Sequence, residues 1–250
     1  MTISLTFNPP VIAHRGASAY APENTFAAFT KAVQLGIKWV EFDVMLAACG
    51  EPIIFHDEIL DRTTNEIGEL KHLSYAHLCT LDAGKWFDPL FSGERMPSLK
   101  QMLDFLKQNQ LSANVEIKPL PGQDEQTAIS ALALIEPIFP QPSASILFSS
   151  FSVESLRALR LHSPHCLLGL LLHDWEPDWE TICESLQCVS VHVNQEIMTK
   201  EMAYKIKGMG RILLCYTVND PVRAQELYSW GVDAVFSDNP DVIAAIQSIT

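Results

Sequence analysis

Short apolar segments rich in β-branched residues alternate along the chain with segments of helical periodicity, and this alternation limits the possible folds more than any other feature. Eight segments are predicted to be strands, at residues 11–13, 39–44, 113–117, 145–148, 167–172, 188–193, 211–217 and 234–236. Eight helices are predicted between and after them, at residues 24–35, 99–109, 124–135, 153–161, 178–186, 200–207, 221–230 and 241–249. Strict alternation of strand and helix favours a parallel sheet with helices outside it.

Eight strand–helix units in 250 residues is the count of an α/β fold of the TIM type, a (β/α)8 barrel. A hydrophobic content of 48% is enough for one sizeable core, so we predict a single domain over residues 1–250. A doubly wound open sheet is the alternative, but no G-x-G-x-x-G follows the first strand. Asn24 and Ser98 are predicted to be helix N-caps.

Residues 51–97 break the alternation and are predicted to be a small insertion on the second βα loop. It begins with a short strand extension at residues 52–56, and the rest is irregular. An irregular segment of this length needs a purpose, such as a lid or a small subdomain. Two of its aromatic residues, Trp86 and Phe87, either pack over the site and shape the pocket or form only the insertion's own core.

Polar residues are concentrated where the predicted strands end. The set comprises His14, Arg15, Glu41, Asp43, His56, Asp57, Glu116, Lys118, Ser149, Ser150, His192, Asn194, Tyr216, Thr217, Asn219, Ser237 and Asp238. In a barrel, the carboxyl ends of all strands open on one face, where active sites lie. We therefore expect many of these side chains to converge, although a single strand-end histidine is more often capped or solvated.

Glu41 and Asp43 lie two apart on one predicted strand, as do Glu116 and Lys118 on the next, so each pair shares a face. Alone, Glu41 and Asp43 fit a half-exposed edge. Inside a barrel, three unpaired carboxylates near one lysine repel one another and are costly to bury. A hard divalent cation relieves the repulsion, and all-oxygen ligands favour Mg²⁺ or Ca²⁺ over zinc.

His14 and His56 are predicted to take part in acid–base chemistry, because imidazole titrates near neutral pH. Arg15 and Lys118 favour a substrate with anionic oxygens. A metal, two cationic side chains and two imidazoles together suit phosphoryl transfer. The residues alone therefore predict metal-assisted hydrolysis of a phosphate ester, without indicating which ester.

The charge balance excludes several classes of partner. A net charge of −13 disfavours nucleic acid and anionic membranes, and no apolar stretch is long enough to span a bilayer. The first ten residues lack the pattern of a secretory signal, and the six cysteines form no C-x-x-C. We therefore expect a cytoplasmic protein with buried, reduced thiols that acts on a small molecule, in an oligomeric state that is left open.

Seven short motifs follow one another in the order AHRGASAYAPENT, VEFDV, IIFHD, VEIKP, SSF, YTVN and GVDAVFSD. Together with LDAGKWF in the insertion, they resemble the glycerophosphodiester phosphodiesterase family, most closely its cytosolic bacterial branch. The resemblance extends from Val11 to about Val242. Departures are confined to AACG at residues 47–50 and FSDNP at 236–240, where the family has other turn residues.

The resemblance implies a TIM-type barrel that hydrolyses glycerophosphodiesters to glycerol 3-phosphate and an alcohol. It implies that His14 and His56 are the acid–base pair and that one divalent ion binds to the carboxylates. The implied metal ligands are Glu41, Asp43 and Glu116, and the implied substrate or phosphate contacts are Arg15, Lys118 and Tyr216. The alternatives are a phosphodiester-binding protein without turnover and a barrel phospholipase that acts on intact lipid.

Overall fold

The computed structural model describes residues 5–246, and its centre is a closed barrel of eight parallel strands. The strands, including one short extra strand outside the barrel, are β1 (Val11–Ala13), β2 (Trp39–Leu46), β3 (Pro52–Ile54), β4 (Ser112–Ile117), β5 (Ile146–Ser150), β6 (Leu168–Leu172), β7 (Ser190–Asn194), β8 (Ile212–Tyr216) and β9 (Ala234–Ser237). The extra strand β3 runs antiparallel to β2. Pairing of Ala13 with Val40 joins β1 to β2 and closes the barrel.

Helices cover the outside of the barrel. The helices among the described residues are α1 (Phe26–Gln34), α2 (Tyr75–Leu78), α3 (Leu99–Asn109), α4 (Asp124–Ile135), α5 (Val153–His162), α6 (Trp179–Ser185), α7 (Lys200–Gly208), α8 (Pro221–Ser229) and α9 (Pro240–Ala244), of which α2 belongs to the irregular segment between β2 and α3. The predicted (β/α)8 architecture is confirmed, and the open sheet is excluded because β1 pairs with both β9 and β2. The end of the predicted helix 241–249, from residue 247 onward, lies outside the described residues.

The barrel interior is filled at the amino ends of the strands and open at the carboxyl ends. One apolar cluster occupies the lower part, formed by Leu5, Ile12, Trp39, Leu147, Leu167, Leu214, Ala234 and Phe236. Because alternate residues of a strand face opposite sides, the next inward positions toward the carboxyl end are available for polar side chains. The larger apolar core lies between the strands and the surrounding helices.

The two predicted helix N-caps differ in outcome. Ser98 caps α3 as predicted, with its hydroxyl accepting from the backbone N–H of Gln101 in a capping box. The prediction for Asn24 is wrong by one residue, because Thr25 precedes the first turn of α1. Asn24 instead adopts a left-handed conformation, with φ of 57°, and its amide donates to Asp43 at 3.0 Å.

The segment between β2 and α3 is the predicted insertion, and it is largely irregular. Apart from β3, it contains the short helix α2 and two single 3₁₀ turns. An apolar cluster that includes Phe55, Leu60, Leu70 and Leu78 of this segment packs with Met45 of β2. The insertion therefore has a small separate core beside the carboxyl end of β2.

The cysteines follow the prediction only in part. Cys166, Cys183, Cys188 and Cys215 are buried free thiols, as expected. Cys49 is exposed and Cys79 is only half-buried, which corrects the prediction for these two; the turn after β2 carries Cys49 into solvent.

Candidate active site

A cavity of about 280 Å³ opens at the carboxyl ends of the barrel strands. Its lining consists of His14, Arg15, Glu41, His56, Asn114, Glu116, Lys118, Phe151, Leu171, His173, Tyr216, Thr217 and Phe236. Seven of the eight predicted site residues are in this lining, and Asp43 belongs to the same carboxylate cluster. The barrel thus brings together side chains that lie more than two hundred positions apart in the sequence.

The HRG turn after β1 aims backbone and side chain at the carboxylates. Arg15 and Gly16 are both left-handed, with φ of 53° and 83°. A Cβ at position 16 would lie 2.7 Å from the backbone carbon of Ala28, so only glycine fits there. In this conformation the N–H of Arg15 donates to Oε2 of Glu41 at 2.9 Å.

Three carboxylates form the centre of the site. Asp43 and Glu116 are register partners on β2 and β4, and Glu41 is two residues below Asp43 on the same face. One oxygen from each of the three lies within 4.8 Å of the others. Oε1 of Glu41 is buried and has no hydrogen-bond partner. A divalent cation bound to oxygen ligands fits this arrangement, since it would satisfy the orphaned oxygen and offset the repulsion.

The pKa values of the three carboxyls reflect their burial and their mutual repulsion. Burial and the neighbouring Asp43 raise the pKa of Glu116 to about 8. Burial, Asp43 and Glu116 also raise the pKa of Glu41 well above its usual value. Burial acts in the same direction on Asp43, but Arg15, His56 and Lys118 outweigh it and lower its pKa to about 2. At neutral pH the cluster therefore tends to hold protons that a metal ion would displace.

Two cationic side chains flank the cluster. Nε of Arg15 lies 3.5 Å from Oδ2 of Asp43, and its Nη1 donates to Glu23 at 2.8 Å. Nζ of Lys118 lies 3.8 Å from the other oxygen of Asp43. Both side chains line the cavity, so they present positive charge to any anion that enters it.

Each of the two cavity histidines has a carboxylate on Nδ1. His14 Nδ1 lies 2.7 Å from Oδ1 of Asp238, and His56 Nδ1 lies 2.5 Å from Oδ1 of Asp57. Because a carboxylate accepts, the proton of each neutral ring is held on Nδ1, and Nε2 is left with a free lone pair. Burial, with Arg15 and Lys118, lowers the pKa of His56.

The carboxylate partners of the histidines are themselves held in place. Asp238 accepts hydrogen bonds from Ser18 Oγ at 2.9 Å and from Asn219 Nδ2 at 2.6 Å. Asp57 accepts from Arg62 of the insertion. Burial raises the pKa of Asp238, but the hydrogen bonds from His14, Asn219 and Ser18, together with the charge of His14, outweigh it, and the pKa falls to about 2.

One wall of the cavity is apolar. The rings of Phe151 and Tyr216 meet edge to face, with centroids 6.0 Å apart. The Tyr216 hydroxyl donates to the carbonyl of Leu172 at 2.8 Å, so the ring rather than the hydroxyl faces the cavity. This wall lies within the same cavity as the charged cluster and suits the carbon skeleton of a ligand.

The expectation that His192 joins the other strand-end groups in the cavity is wrong. His192 is fully buried next to the cavity, where Nε2 bonds to Ser190 Oγ at 2.8 Å and its ring lies 5.4 Å from Phe236. It fits only because Gly169 has no side chain; a Cβ there would lie 2.4 Å from Nε2. Burial lowers the pKa of His192 to about 3, so this histidine is neutral at physiological pH.

The aromatic residues of the insertion do not line the cavity. Trp86, Phe87 and Phe91 stack edge to face in a row, with centroids 5.6 Å apart in both pairs. The hypothesis that Trp86 and Phe87 shape the pocket is therefore wrong, because the ring cluster packs against itself within the insertion.

Several site residues lie outside the predicted set of catalytic, metal and substrate residues. They are Glu23, Asn24, Asp57, Arg62, Asn114, Phe151, His173 and Asp238. Asp57 and Asp238 do appear in the sequence among the strand-end polar groups, and this position is the signal that points to them. Nothing in the local sequence of Arg62 indicates its pairing with Glu23, since Glu23 belongs to the loop between β1 and α1.

Comparison with known proteins identifies the family. Residues 14–242 match the model of the glycerophosphoryl diester phosphodiesterase family. The chain belongs to this family. A glycerophosphodiester phosphodiesterase of Caldanaerobacter subterraneus is 32% identical over 237 residues, which cover 93% of this chain and 95% of the relative. The prediction of a glycerophosphodiester phosphodiesterase is thereby confirmed for the family and its activity.

Solved structures of phosphodiesterases have the same fold. A phosphodiesterase from Oleispira antarctica, solved with the product sn-glycerol-3-phosphate, is 38% identical and superposes with a TM-score of 0.92, covering 96% of this chain and 97% of that one. A glycerophosphodiester phosphodiesterase from Agrobacterium tumefaciens is 28% identical, with a TM-score of 0.79 and coverage of 97% and 100%.

Proposed function

We propose that this protein hydrolyses glycerophosphodiesters to glycerol 3-phosphate and an alcohol, using one divalent cation and two histidines as acid and base. The observation that carries the proposal is the pairing of each cavity histidine with a carboxylate. His14 and His56 each hold Nδ1 on a carboxylate, and both share the cavity with the carboxylate cluster. The product in the Oleispira antarctica phosphodiesterase supports the same choice of substrate.

The proposed metal ligands are Glu41, Asp43 and Glu116, and the ion is Mg²⁺ or Ca²⁺. When bound, the ion supplies positive charge that stabilises developing negative charge on the phosphate oxygens. The unpartnered Oε1 of Glu41 and the raised pKa of Glu116 support this assignment. Asn24, Arg15 and Lys118 hold Asp43, which fixes that carboxylate for a ligand role.

The two histidines are proposed to move the protons. Cleavage of a phosphodiester requires one group to take a proton from the nucleophile and another to give one to the leaving alkoxide. The carboxylate on Nδ1 of each ring leaves Nε2 for these transfers and stabilises the ring when it is charged. The nucleophile is a water or a glycerol hydroxyl, and either assignment of acid and base fits the arrangement.

Arg15 and Lys118 are proposed to bind the phosphate, since both line the cavity beside the cluster. For Tyr216 we propose contact with the carbon skeleton of glycerol through the ring, because its hydroxyl bonds to Leu172. The ring of Phe151 supports Tyr216 in this position.

We propose that the whole chain works as one catalytic domain in the reducing cytoplasm. Six free cysteines, with no disulfide among the described residues, support that compartment. Within residues 5–246, no helix has the length and apolar character needed to cross a membrane. The proposed substrate is a small water-soluble diester, and no nucleic-acid partner is proposed.

Product analysis tests the proposal. Purified protein is incubated with glycerophosphocholine, glycerophosphoethanolamine or lysophosphatidylcholine, with and without EDTA. We expect glycerol 3-phosphate from the first two substrates, loss of activity with EDTA, and recovery with Mg²⁺ or Ca²⁺. Binding without turnover, preferential cleavage of the lysolipid, or full activity in metal-free protein would each contradict the proposal.

A further inference from the structure

Arg62, which is carried by the insertion, joins two loops at the rim of the site. Its Nη1 and Nη2 donate to the two oxygens of Glu23 at 2.6 and 2.8 Å. Its Nε and Nη2 donate to the two oxygens of Asp57 at 2.7 and 3.1 Å. One guanidinium therefore makes a two-point contact with each of two carboxylates, which is the geometry that its planar shape favours.

Both carboxylates have a second partner that lines the cavity. Glu23, in the loop between β1 and α1, also accepts from Nη1 of Arg15. Asp57, just after β3, also accepts from Nδ1 of His56. Arg62 thus connects the loop that carries Arg15 with the segment that carries His56.

Arg62 itself is not among the residues that line the cavity, and its side chain is 44% exposed. The side chains of Glu23 and Asp57 are only 12% and 19% exposed. Without the guanidinium of Arg62, these two carboxylates would lie close together in a poorly solvated region. Arg15 would be the only one of these two arginines still paired with Glu23. Repulsion between the carboxylates of Glu23 and Asp57 would then favour rotation of the Asp57 side chain away from Glu23 and from the His56 ring.

We infer that Arg62 is a positioning residue for the reaction: it holds Asp57 on Nδ1 of His56 and thereby keeps Nε2 of His56 aimed into the cavity. Residues 51–97 thus supply a positioning cation, Arg62, in addition to His56 and Asp57. The inference rests on the proposed role of His56 in proton transfer.

Lysine is a poor replacement because a single ammonium group lacks the planar fork that grips two carboxylates at once. Arg62→Lys preserves the charge and therefore protects against gross unfolding, while it removes the two-point geometry. Arg95→Ala is the matched control, since Arg95 is an exposed arginine of the same insertion that donates to the carbonyl of Thr80 at 2.8 Å.

The kinetic test compares Arg62→Ala, Arg62→Lys and Arg95→Ala on glycerophosphocholine. We expect kcat to fall on the order of 10- to 100-fold in both Arg62 variants, with KM changed less than about 3-fold, because a lost orienting partner costs catalysis rather than binding. Millimolar guanidinium should restore part of kcat in Arg62→Ala and none in Arg95→Ala. Wild-type kcat in Arg62→Ala, or a loss confined to KM, would overturn the inference.

A spectroscopic test works without turnover and separates this inference from the proposed function. In protein labelled with ¹⁵N-histidine, His56 of the wild type should show one tautomer with the proton on Nδ1. Arg62→Lys should show a tautomer mixture at His56 with the other histidines unchanged, and Asp57→Asn should produce a change at the same ring. An unchanged His56 spectrum in both Arg62 variants would overturn the inference even if the wild type proved inactive.

Discussion

Nδ1 of His14 lies 2.7 Å from Oδ1 of Asp238, although the two residues are 224 positions apart in the chain. The contact forms because β1 and β9 are neighbours in the closed barrel, with Ala13 paired to Ser237. It places a histidine and its orienting carboxylate on adjacent strand ends. The His56–Asp57 pair reaches the same arrangement from neighbouring residues.

Asp238→Asn is expected to lower kcat on the order of 10²-fold or more, since an amide no longer fixes the proton on Nδ1 of His14. The measurement is steady-state kinetics on glycerophosphocholine. Asp241→Asn is the control, because Asp241 bonds to the hydroxyl of Tyr20 rather than to a histidine. Equal kcat in Asp238→Asn and the wild type would show that His14 needs no carboxylate partner.

His14→Ala and His56→Ala are each expected to lose activity by a factor on the order of 10²–10⁴ and to remain folded and able to bind metal. The wild type should show a bell-shaped dependence of kcat/KM on pH. Circular dichroism and calorimetric titration with Mg²⁺ or Ca²⁺ check folding and metal binding. Loss of metal affinity in either variant would mean that the histidine is a ligand.

The metal-free protein is expected to lose stability as the pH rises. The pKa of Glu116 is raised from 4.5 to about 8, so the folded state holds a proton that the unfolded chain releases near pH 4.5. The stabilising contribution is therefore present below that pH and is lost as pH rises through about 8. Thermal unfolding between about pH 5 and pH 8 should show a falling Tm.

Two comparisons isolate this effect. In Glu116→Gln the slope of Tm against pH should be clearly smaller, because the variant has no proton to lose at this position. Saturating Mg²⁺ or Ca²⁺ should flatten the slope in the wild type, and metal binding near pH 7 should release protons into the buffer. The same slope in Glu116→Gln as in the wild type would assign the pH dependence to other groups.

Gly169→Ala is expected to destabilise the protein by about 1–3 kcal/mol, because the new methyl group would overlap His192. If overlap is the cause, the penalty should shrink in the double variant Gly169→Ala/His192→Ala, relative to His192→Ala alone. Urea unfolding of the four proteins provides the free energies. Strictly additive effects would show that His192 does not fill the space above Gly169.

Trp86→Ala is expected to lower the free energy of unfolding by about 1–2 kcal/mol without changing the ratio of KM values between substrates, since Trp86 packs on Phe87 outside the cavity. Phe151→Ala is the contrasting variant and should raise KM, because Phe151 lines the cavity. Kinetics on glycerophosphocholine and glycerophosphoethanolamine measure both effects. A selective change of KM in Trp86→Ala would place the indole in substrate recognition.

The sequence predicts the barrel and the start of α3 because the signals for both lie within short stretches of the chain. The alternation of apolar strands with helical segments depends on neighbours along the chain, and the capping box at Ser98 lies within four residues. The same holds for Glu41 and Asp43, whose spacing of two places them on one face of β2. These features need no knowledge of distant contacts, and all of them agree with the structure.

The sequence misjudges residues whose environment depends on neighbouring strands. His192 has the inward position expected of a site residue, but Gly169 on the next strand leaves a buried space that it fills. Asn24 has the residue type of an N-cap, but Asp43 on another element takes its amide. In each case a partner far along the chain decides between two roles that the local pattern permits.

By itself the sequence determined the architecture, the strand ends that carry polar groups, and the set of carboxylates, histidines and cations suited to a phosphate ester. Only the tertiary structure decided which polar groups share one cavity, that Asp57 and Asp238 orient the histidines, and that Arg62 links two loops. The physical reason is that periodicity and residue type act over a few positions. Hydrogen bonds and ion pairs instead depend on distances that are set when the barrel closes.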